Sequence, residues 1–438
     1  MTFSRREFLS AVGLATAWTM TAKAESERSA DNLVRVGFIG TGVRGKDLAA
    51  TCYTTNRGNQ RTCRRPSRSG GTMRQILVLA SMMTITVAAP AAEPKRATAV
   101  SIVGNQFHIN GQPTYKGRTW NSKSVEGLLL NSRMVQATFD DRNTETMARW
   151  AYPDTKRWDA ARNTAEFIEM MPTWRKHGLL AVTLNLQGGS PEGYSKVQSW
   201  HNSAINADGT LDDKYLARLA KVIDKADELG MVVILGLYYF GQDERVKDEK
   251  AVIAGVDAAV DWIIASSYTN VLVEVDNECN VKAYDHEILK PDRVHELIER
   301  VKKRSTENKH PLLVSTSFGG GAIPRPNVVK ASDFLLLHGN GVKDPKRITE
   351  MVRQTRNVDG YRPMPILFNE DDHFDFDQAE NNFAAAVREY ASWGYFDYRM
   401  KGEGFDEGYQ SVPVNWKSSS VRKKGFYNML SDITGENP

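Results

Sequence analysis

Cysteine is scarce in this chain, which contains only three cysteines among its 438 residues. Cys52 and Cys63 lie in a polar and basic N-terminal segment, so Cys279 is the single cysteine of the remaining chain. A single cysteine forms no intramolecular disulfide, and no Cys/His spacing typical of a zinc site is present. We therefore expect the hydrophobic core to stabilise the folded part, and we predict no metal and no cofactor.

Long hydrophobic runs and a strong charge of one sign are also missing. The formal net charge is +4, and part of it comes from arginines near the N-terminus, so a basic surface for nucleic acid is not indicated. The apolar runs are too short to cross a membrane comfortably. We therefore predict no nucleic-acid partner and no stable membrane insertion.

Residues 1–72 combine an export signal with a fragment of another fold. Residues 1–24 contain SRREFL, then an apolar stretch and AKA, which is typical of a twin-arginine signal. A Gly-x-Gly-x-x-Gly turn at Gly40, Gly42 and Gly45 follows, and this piece resembles the start of exported dehydrogenases of the glucose–fructose oxidoreductase type. Only one strand and part of a helix of such a Rossmann domain are present, and the stretch after them is polar and basic. We therefore predict a truncated Rossmann fragment and a disordered linker, which together form a non-globular leader.

A second export signal begins at Met73. A short basic start is followed by the apolar run ILVLASMMTITVA and by small residues ending at Ala92. This order is typical of a general secretory signal peptide, so we assign residues 73–92 to it and predict a periplasmic or extracellular location. The leader 1–72 is then best interpreted as a truncated upstream reading frame joined to a complete exported protein.

From residue 93 onward, short apolar runs alternate with helix-like segments. Asn110-Gly111 between two alternating runs predicts a β-hairpin, and the first barrel strand is predicted at about Thr114–Trp120. Seven further strands are predicted at LLAVTLNL, MVVILGLYYF, NVLVEVDNE, LLVSTSFGGG, DFLLLHGNG, PILFNED and YFDYR. Longer helices are predicted at 164–177, 212–229, 248–266, from Pro291 onward, and at 344–356, 381–393 and 419–431.

Eight strands, each followed by a helix or a helical turn, predict an α/β fold for residues 93–438. The predicted architecture is a (β/α)8 TIM barrel with an N-terminal β-hairpin. A doubly wound open sheet is the alternative, but the initial hairpin and the count of eight favour the barrel.

Two glutamates each follow an asparagine at the end of an apolar run. These are Glu278 in VLVEVDNE and Glu370 in PILFNE, and they follow the fourth and seventh predicted strands. In a barrel, residues just after the strands meet at one mouth. The polar and aromatic residues at those positions suit a sugar, and they are Arg118, Trp120, Asn185, Gln187, Tyr239, Gln242, Asn277, Glu278, Ser317, His338, Asn340, Glu370 and Asp397.

Residues 100–432 resemble the retaining glycosidases of clan A, which include the family 5 cellulases and mannanases. The resemblance is carried by the Asn-Glu after the fourth strand and the Glu after the seventh. The resemblance implies that Glu278 is the acid/base and Glu370 the nucleophile. It also implies that Asn277 binds the sugar 2-hydroxyl, that His338 lies near the nucleophile and that Trp416 is a sugar-stacking platform. An oligo- or polysaccharide is the implied substrate.

The two carboxyl groups need different environments for such chemistry. Glu278 must hold a proton near neutral pH, and Glu370 must stay ionised, which hydrogen bonds from neighbours such as Arg118 or Asn340 would favour. Two segments depart from the family pattern. The third strand ends in YYFGQDE, and the eighth carries Tyr395 and Phe396 where relatives have a tryptophan.

The sequence leaves three alternative interpretations open. The barrel could bind carbohydrate without turnover, although both glutamates are present. The Gly-rich turn of the leader could belong to an NAD(P)-dependent oxidoreductase, although the rest of a Rossmann domain is missing. The acidic run at 371–377 could bind calcium, or it could be a solvated loop whose phenylalanines anchor it.

Overall fold

The structure is a computed structural model that describes residues 96–195 and 197–438. The predicted twin-arginine signal, the Gly40–Gly45 turn, the basic linker and the secretory signal at 73–92 lie outside the described residues. Within the described part, no helix has both the length and the apolar character needed to cross a bilayer.

An antiparallel β-hairpin region opens the described chain, as the sequence predicts. It consists of β1 (Val100–Val103), β2 (Gln106–Ile109) and β3 (Gln112–Pro113). Asn110 and Gly111 form the two-residue turn between β2 and β3 with φ of 52° and 75°, which is the left-handed backbone that asparagine and glycine tolerate best. Phe107 of β2 packs against the apolar residues at the start of the barrel strands, and so the region closes the N-terminal end of the barrel.

Eight parallel strands form the barrel and alternate with helices along the chain. After a small β4–β5 hairpin (Thr119–Trp120 and Lys123–Ser124), the barrel strands are β6 (Asn131–Arg133), β7 (Ala181–Asn185), β8 (Val232–Tyr239), β9 (Val271–Asn277), β10 (Leu313–Ser315), β11 (Leu335–His338), β12 (Ile366–Glu370) and β13 (Gly394–Tyr395). Almost all residues of these strands are buried, because core residues lie inside the barrel and helices cover its outside.

The strands close into a ring through three kinds of contact. Six of them pair in the order β10-β9-β8-β7-β6-β13, and β11 pairs with β12. Bridges between Leu367 and Ser392 and between Asp371 and Tyr395 join β12 to β13. On the other side, Asp333 spans β10 and β11, because its backbone N–H donates to the Val314 carbonyl and its carboxylate accepts from the Val314 N–H.

The helices lie between successive barrel strands, close to the predicted positions. They are α1 (Ala160–Lys176), α2 (Asp213–Glu228), α3 (Glu249–Ala265), α4 (Val294–Glu307), α5 (Pro326–Ala331), α6 (Pro345–Arg356), α7 (Asn382–Arg388) and α8 (Val421–Thr434). Asp212, Asp248 and Asn381 each cap a helix by accepting a backbone N–H from its first turn. These caps explain why the predicted helix starts agree with the structure.

The prediction of the first barrel strand was wrong. Residues 114–120 form turns and the short strand β4 at the N-terminal end of the barrel, whereas the first barrel strand is β6. Consequently Arg118 and Trp120 do not reach the mouth. The Arg118 guanidinium donates to the carbonyls of Asp432 and Ile433 in the last turn of α8, and the Trp120 indole donates to the Asp432 carboxylate at 2.7 Å. Arg118 therefore satisfies carbonyl groups that a helix end leaves without partners.

Candidate active site

Glu278 and Glu370 lie together at the C-terminal end of the barrel strands. Glu278 directly follows β9, the fourth barrel strand, and Glu370 is the last residue of β12, the seventh. An oxygen of each carboxylate and an imidazole nitrogen of His338 all lie within 4.8 Å of one another. Strand order and the parallel direction of the strands thus bring two acidic side chains, far apart in sequence, into one group.

The backbone of Glu278 is held in an unusual conformation. Its φ is 55°, which is uncommon for a residue with a side chain. Ser317, just beyond β10, fixes this conformation on both sides: its hydroxyl accepts the Glu278 N–H at 2.9 Å and its carbonyl accepts the Cys279 N–H at 3.0 Å. The turn away from the β9 direction leaves the Glu278 side chain 15% exposed, so one carboxyl group of the site can meet solvent.

Glu370 is held by more donors and is less exposed than Glu278. Its side chain is 7% exposed, its Oε2 lies 2.7 Å from Arg133 Nε, and its Oε1 accepts a hydrogen bond from the Asn340 amide at 2.5 Å. Burial, together with the charge of Glu278, raises the pKa of Glu370, and the Arg133 and His338 cations and the Asn340 amide offset only part of this rise. Arg133 therefore provides the charge that the sequence prediction assigned to Arg118.

Arg133 connects Glu370 to a second buried carboxylate beneath the site. Its Nη1 lies 4.0 Å from an oxygen of Glu274, a β9 residue with no exposed surface, and the Asn369 amide donates to both oxygens of Glu274 at 3.3 Å. Burial opposes the charge on Arg133, but Glu370 and Glu274 outweigh it and raise the pKa of Arg133. The guanidinium is thus the positive centre of a buried group that contains two negative side chains.

His338 bridges the two candidate catalytic glutamates. Its Nδ1 lies 2.8 Å from Glu278 Oε1 and 3.6 Å from Glu370 Oε2, and the ring is fully buried at the end of β11. Burial disfavours the imidazolium, but Glu370 and Glu278 outweigh it and raise the pKa of His338. A protonated His338 is therefore favoured between two carboxylates, where it reduces their mutual repulsion.

The structure brings Tyr239 and Asn277 to the same region and buries Asn185. Tyr239 pairs with Asn277 where β8 and β9 end, and burial, then the charges of Glu370 and Glu278, raise the pKa of its hydroxyl. Asn277 ends β9 directly before Glu278, and among the described residues no donor reaches its Oδ1. Asn185 is fully buried with its side chain against Gly236 of β8, so the structure does not present it to a ligand.

Trp416 is part of the core rather than a surface for a sugar. Its indole donates to Asn163 at 3.0 Å, its ring stacks on Tyr409, and the side chain is almost fully buried. The suggested platform role for Trp416 is therefore contradicted, because a ligand cannot reach a buried ring that packs against α1 and against the loop after β13. Arg118 and Trp120 also lie away from the site, as described above.

The sequence patterns do not indicate Arg133, which is the cation closest to Glu370. The signal was present but weak: GLLLNSR contains a three-residue apolar run, Leu128–Leu130, directly before the polar residues of β6. A strand of three residues gives too little alternation to be recognised against the longer hairpin pattern before it.

The first two carboxylates of the acidic run after Glu370 accept hydrogen bonds from other groups of the protein. The carboxylate of Asp371 accepts hydrogen bonds from His373, Asn382 and Trp393, and Asp372 accepts from the Gly341 N–H and from Tyr194. Ligand atoms of Asp371, Asp372 and His373 lie within 4.8 Å of one another, as a metal site would require. However, calcium prefers oxygen ligands, and here the imidazole fills the place between the two carboxylates. The arrangement is that of an anchored loop.

His373 is expected to make folding stability depend on pH. Burial opposes its charge, but the hydrogen bonds with Asp371 and Asp372 outweigh burial and raise the pKa of His373 to about 10, from a usual value of 6.5. A pKa raised in the folded state gives stability that is fully present below pH 6.5 and lost as the pH rises through about 10. The expected loss is at most about 1.4 kcal/mol per pH unit in this window.

Chemical denaturation of the parent and of His373→Asn between pH 6.5 and 10 measures this effect. The variant is expected to be less stable at pH 6.5 and to lose less free energy of unfolding toward pH 10. His201→Asn is a suitable control, because burial and Arg142 lower the pKa of His201 to about 4 and it stays neutral throughout this range. Parallel curves for the parent and His373→Asn would show that the two ion pairs contribute nothing.

Comparisons with known proteins find similar chains among solved structures. No protein-family model matches the sequence, and a search of curated proteins finds no match. Among solved structures, an endo-1,4-beta-mannanase from Rhizomucor miehei is similar over 77% of this chain and 100% of its own, with 11% identity and a TM-score of 0.49. A broad-specificity endoglucanase from Bacteroides salanitronis is similar over 70% of this chain and 93% of its own, with 14% identity and a TM-score of 0.46. A β-mannanase from the blue mussel Mytilus edulis is similar over 76% of this chain and 97% of its own, with 11% identity and a TM-score of 0.44. At these values, we base the functional conclusion on the geometry of the site.

Proposed function

We propose that residues 93–438 form a retaining glycoside hydrolase that cleaves β-linked glycosides or polysaccharides. The observation that carries the proposal is the pair of glutamates at the ends of the fourth and seventh barrel strands, which share His338 and lie beside a buried arginine. Two carboxyl groups in different environments can divide the nucleophile and acid roles that glycoside cleavage requires.

Glu370 is the nucleophile in this proposal. Arg133 and Asn340 hold its two oxygens and stabilise its anion, and burial limits competition from water. The carboxylate attacks the anomeric carbon and the bond to the leaving oxygen breaks, which gives a covalent glycosyl-enzyme. Glu278, the more exposed of the two, donates a proton to that leaving oxygen.

The second step returns both groups to their starting state. Glu278, now ionised, takes a proton from water, and the resulting hydroxide oxygen attacks the anomeric carbon and displaces Glu370. The products are two sugars with free hydroxyls, and one molecule of water is consumed. The proximity of the two carboxylates supports this mechanism: an oxygen of Glu278 lies within 4.8 Å of an oxygen of Glu370. Retaining pairs lie about 5–5.5 Å apart, whereas inverting pairs leave roughly 6.5–9.5 Å for a water between them.

The stereochemistry of the first product tests the proposal. We expect the parent to hydrolyse at least one aryl β-glycoside or β-linked polysaccharide, and ¹H NMR at early times should show the β-anomer before mutarotation. Substrates should include β-glucans, β-mannans and β-xylans. Initial formation of the α-anomer would indicate inversion, and release of no sugar from any of these substrates would contradict hydrolysis.

We also propose that the protein is exported to the periplasm or the extracellular space. The support is the secretory signal pattern at 73–92, directly before the folded chain. N-terminal sequencing of the mature protein should find a cut close to Ala92, and an uncut N-terminus in a cytoplasmic fraction would contradict export.

A further inference from the structure

Tyr194 is an exposed aromatic residue at the mouth of the barrel. It belongs to the loop between β7 and α2 and is 56% exposed. The other large hydrophobic residues exposed within 96–195 and 197–438 are aliphatic, namely Val103, Met147, Val197, Met400 and Val421. Trp416, Trp200 and the strand-end tyrosines are buried by comparison. An aromatic ring presented to solvent in this place therefore needs an explanation.

The hydroxyl of Tyr194 is bound to the loop that follows Glu370. It donates to Asp372 at 2.8 Å, and Asp372 follows Glu370 by two residues. The other oxygen of Asp372 accepts the Gly341 N–H at 2.9 Å, and the neighbouring Asn340 donates to Glu370. Tyr194 is thus joined by one carboxylate to the loop that holds the proposed nucleophile.

The ring of Tyr194 contacts two other aromatic side chains. Its centroid lies 5.0 Å from that of Tyr398 and 5.7 Å from that of Phe396, both just after the eighth barrel strand. The preceding Gly193 packs so closely on Tyr398 that an added Cβ would lie 3.1 Å from its ring. Edge and tilted contacts of this kind stabilise aromatic pairs, and the 56% exposure of Tyr194 leaves part of its surface open to another partner.

The backbone of this loop is anchored as well. The Pro191 carbonyl accepts the Val412 N–H at 2.7 Å, the Ser190 carbonyl accepts from the Gln410 amide at 3.2 Å, and Glu192 forms a bridge with Ser411. The ring is therefore fixed by its hydroxyl, by its aromatic neighbours and by its backbone. A side chain that is already ordered loses little conformational entropy when a ligand binds.

From these contacts we infer that Tyr194 is the stacking platform for a pyranose ring bound beside Glu370. The C–H face of a β-linked pyranoside is apolar, and it matches a rigid aromatic face whose position is set relative to the nucleophile. Tyr194 would perform here the function that the buried Trp416 cannot perform. The inference rests on the proposed function, and it adds a residue that controls substrate binding.

Kinetics of Tyr194→Ala and Tyr194→Phe test the inference. On the longest oligosaccharide that the parent cleaves, Tyr194→Ala is expected to lower kcat/KM about ten-fold through KM, with a small effect on kcat, because stacking holds substrate in the ground state and the transition state alike. Tyr194→Phe retains the ring and is expected to stay within about three-fold of the parent. Val197→Ala, in the same loop, should match the parent.

Binding measurements separate this inference from the proposed function. Electrophoresis through gels that contain soluble β-glucan, β-mannan or β-xylan should retard the parent and retard Tyr194→Ala less, whether or not sugar is released. If the parent hydrolyses a substrate and Tyr194→Ala matches it in both assays, the platform is wrong and the hydrolase stands. If Tyr194→Phe loses as much binding and activity as Tyr194→Ala, the effect comes from the hydrogen bond with Asp372, and the platform is again wrong. A parent that neither binds nor cleaves any of the polymers would overturn both proposals.

Discussion

Glu370→Ala is expected to lower kcat by about four orders of magnitude or more, because the variant lacks the atom that forms the covalent intermediate. Glu278→Ala is expected to lower activity about 10²–10⁴-fold on substrates whose leaving group needs protonation, and much less on activated aryl glycosides. Glu244→Ala removes an exposed glutamate after the third barrel strand and serves as a matched control with little expected effect. Equal activity of all three variants and the parent would contradict the two-glutamate mechanism.

Added azide distinguishes the roles of the two glutamates. In Glu370→Ala, azide can enter the space of the missing carboxylate and attack the anomeric carbon directly, so an α-glycosyl azide is expected from an activated β-glycoside. In Glu278→Ala, the glycosyl-enzyme still forms and azide replaces water in the second step, so the β-glycosyl azide is expected. Mass spectrometry and NMR identify the two products. The opposite pattern would exchange the assignments of nucleophile and acid/base.

Arg133→Met is expected to destabilise the fold by about 3–5 kcal/mol, because it removes one partner of a buried ion pair and leaves charged groups without compensation. The guanidinium is almost fully buried between Glu370 and Glu274, at 2.7 and 4.0 Å. Chemical denaturation measures the loss. Arg300→Met breaks the exposed pair with Asp257 and is a suitable control, with an expected cost of at most about 1 kcal/mol.

The same substitution is expected to change the pH dependence of activity. The Arg133 cation lowers the pKa of Glu370, so its removal lets the nucleophile stay protonated up to a higher pH. The acid limb of kcat/KM should therefore move to higher pH in Arg133→Met, and it should move less in Arg133→Lys, which keeps a positive charge. An unchanged acid limb in both variants would show that Arg133 acts only on stability.

Arg133→Met combined with Glu274→Gln keeps this prediction testable if the single variant does not fold. Removing the Glu274 charge as well eliminates one uncompensated carboxylate. The double variant should then be more stable than the sum of the two single changes predicts, by roughly 1–3 kcal/mol. Additive losses would mean that Arg133 and Glu274 do not interact in the folded protein.

The parts of the fold that sequence patterns predicted are those with long or locally defined signals. β9 carries the run VLVEV before Asp276, and the helices after it and around it begin at residues such as Asp248 and Asn381 whose side chains cap them. Because these signals depend only on neighbouring residues, seven of the eight barrel strands and the order of the helices followed from the sequence. The positions of Glu278 and Glu370 after the fourth and seventh strands depend on that order alone.

The parts that could not be predicted depend on contacts between distant segments. Arg133 reaches Glu370 only because the short strand β6 lies beside β13, which closes the ring. Tyr194 is placed by the loop after the eighth strand and by Asp372, which lies 178 residues further along the chain. The predictions for Trp416 and Arg118 were wrong for the same reason. Their residue types suit a sugar site, but contacts with α1 and α8, respectively, determine where the two side chains lie.

The positive φ of Glu278 has a consequence for how this protein can evolve. A residue with a side chain costs about 1–2 kcal/mol in the left-handed region, whereas glycine adopts it without this cost. Selection for stability alone would therefore favour glycine at position 278, and the barrel would then keep its pocket but lose its proposed acid/base. In the proposed mechanism this cost is offset by function, because glycine would supply no carboxyl group to protonate the leaving oxygen.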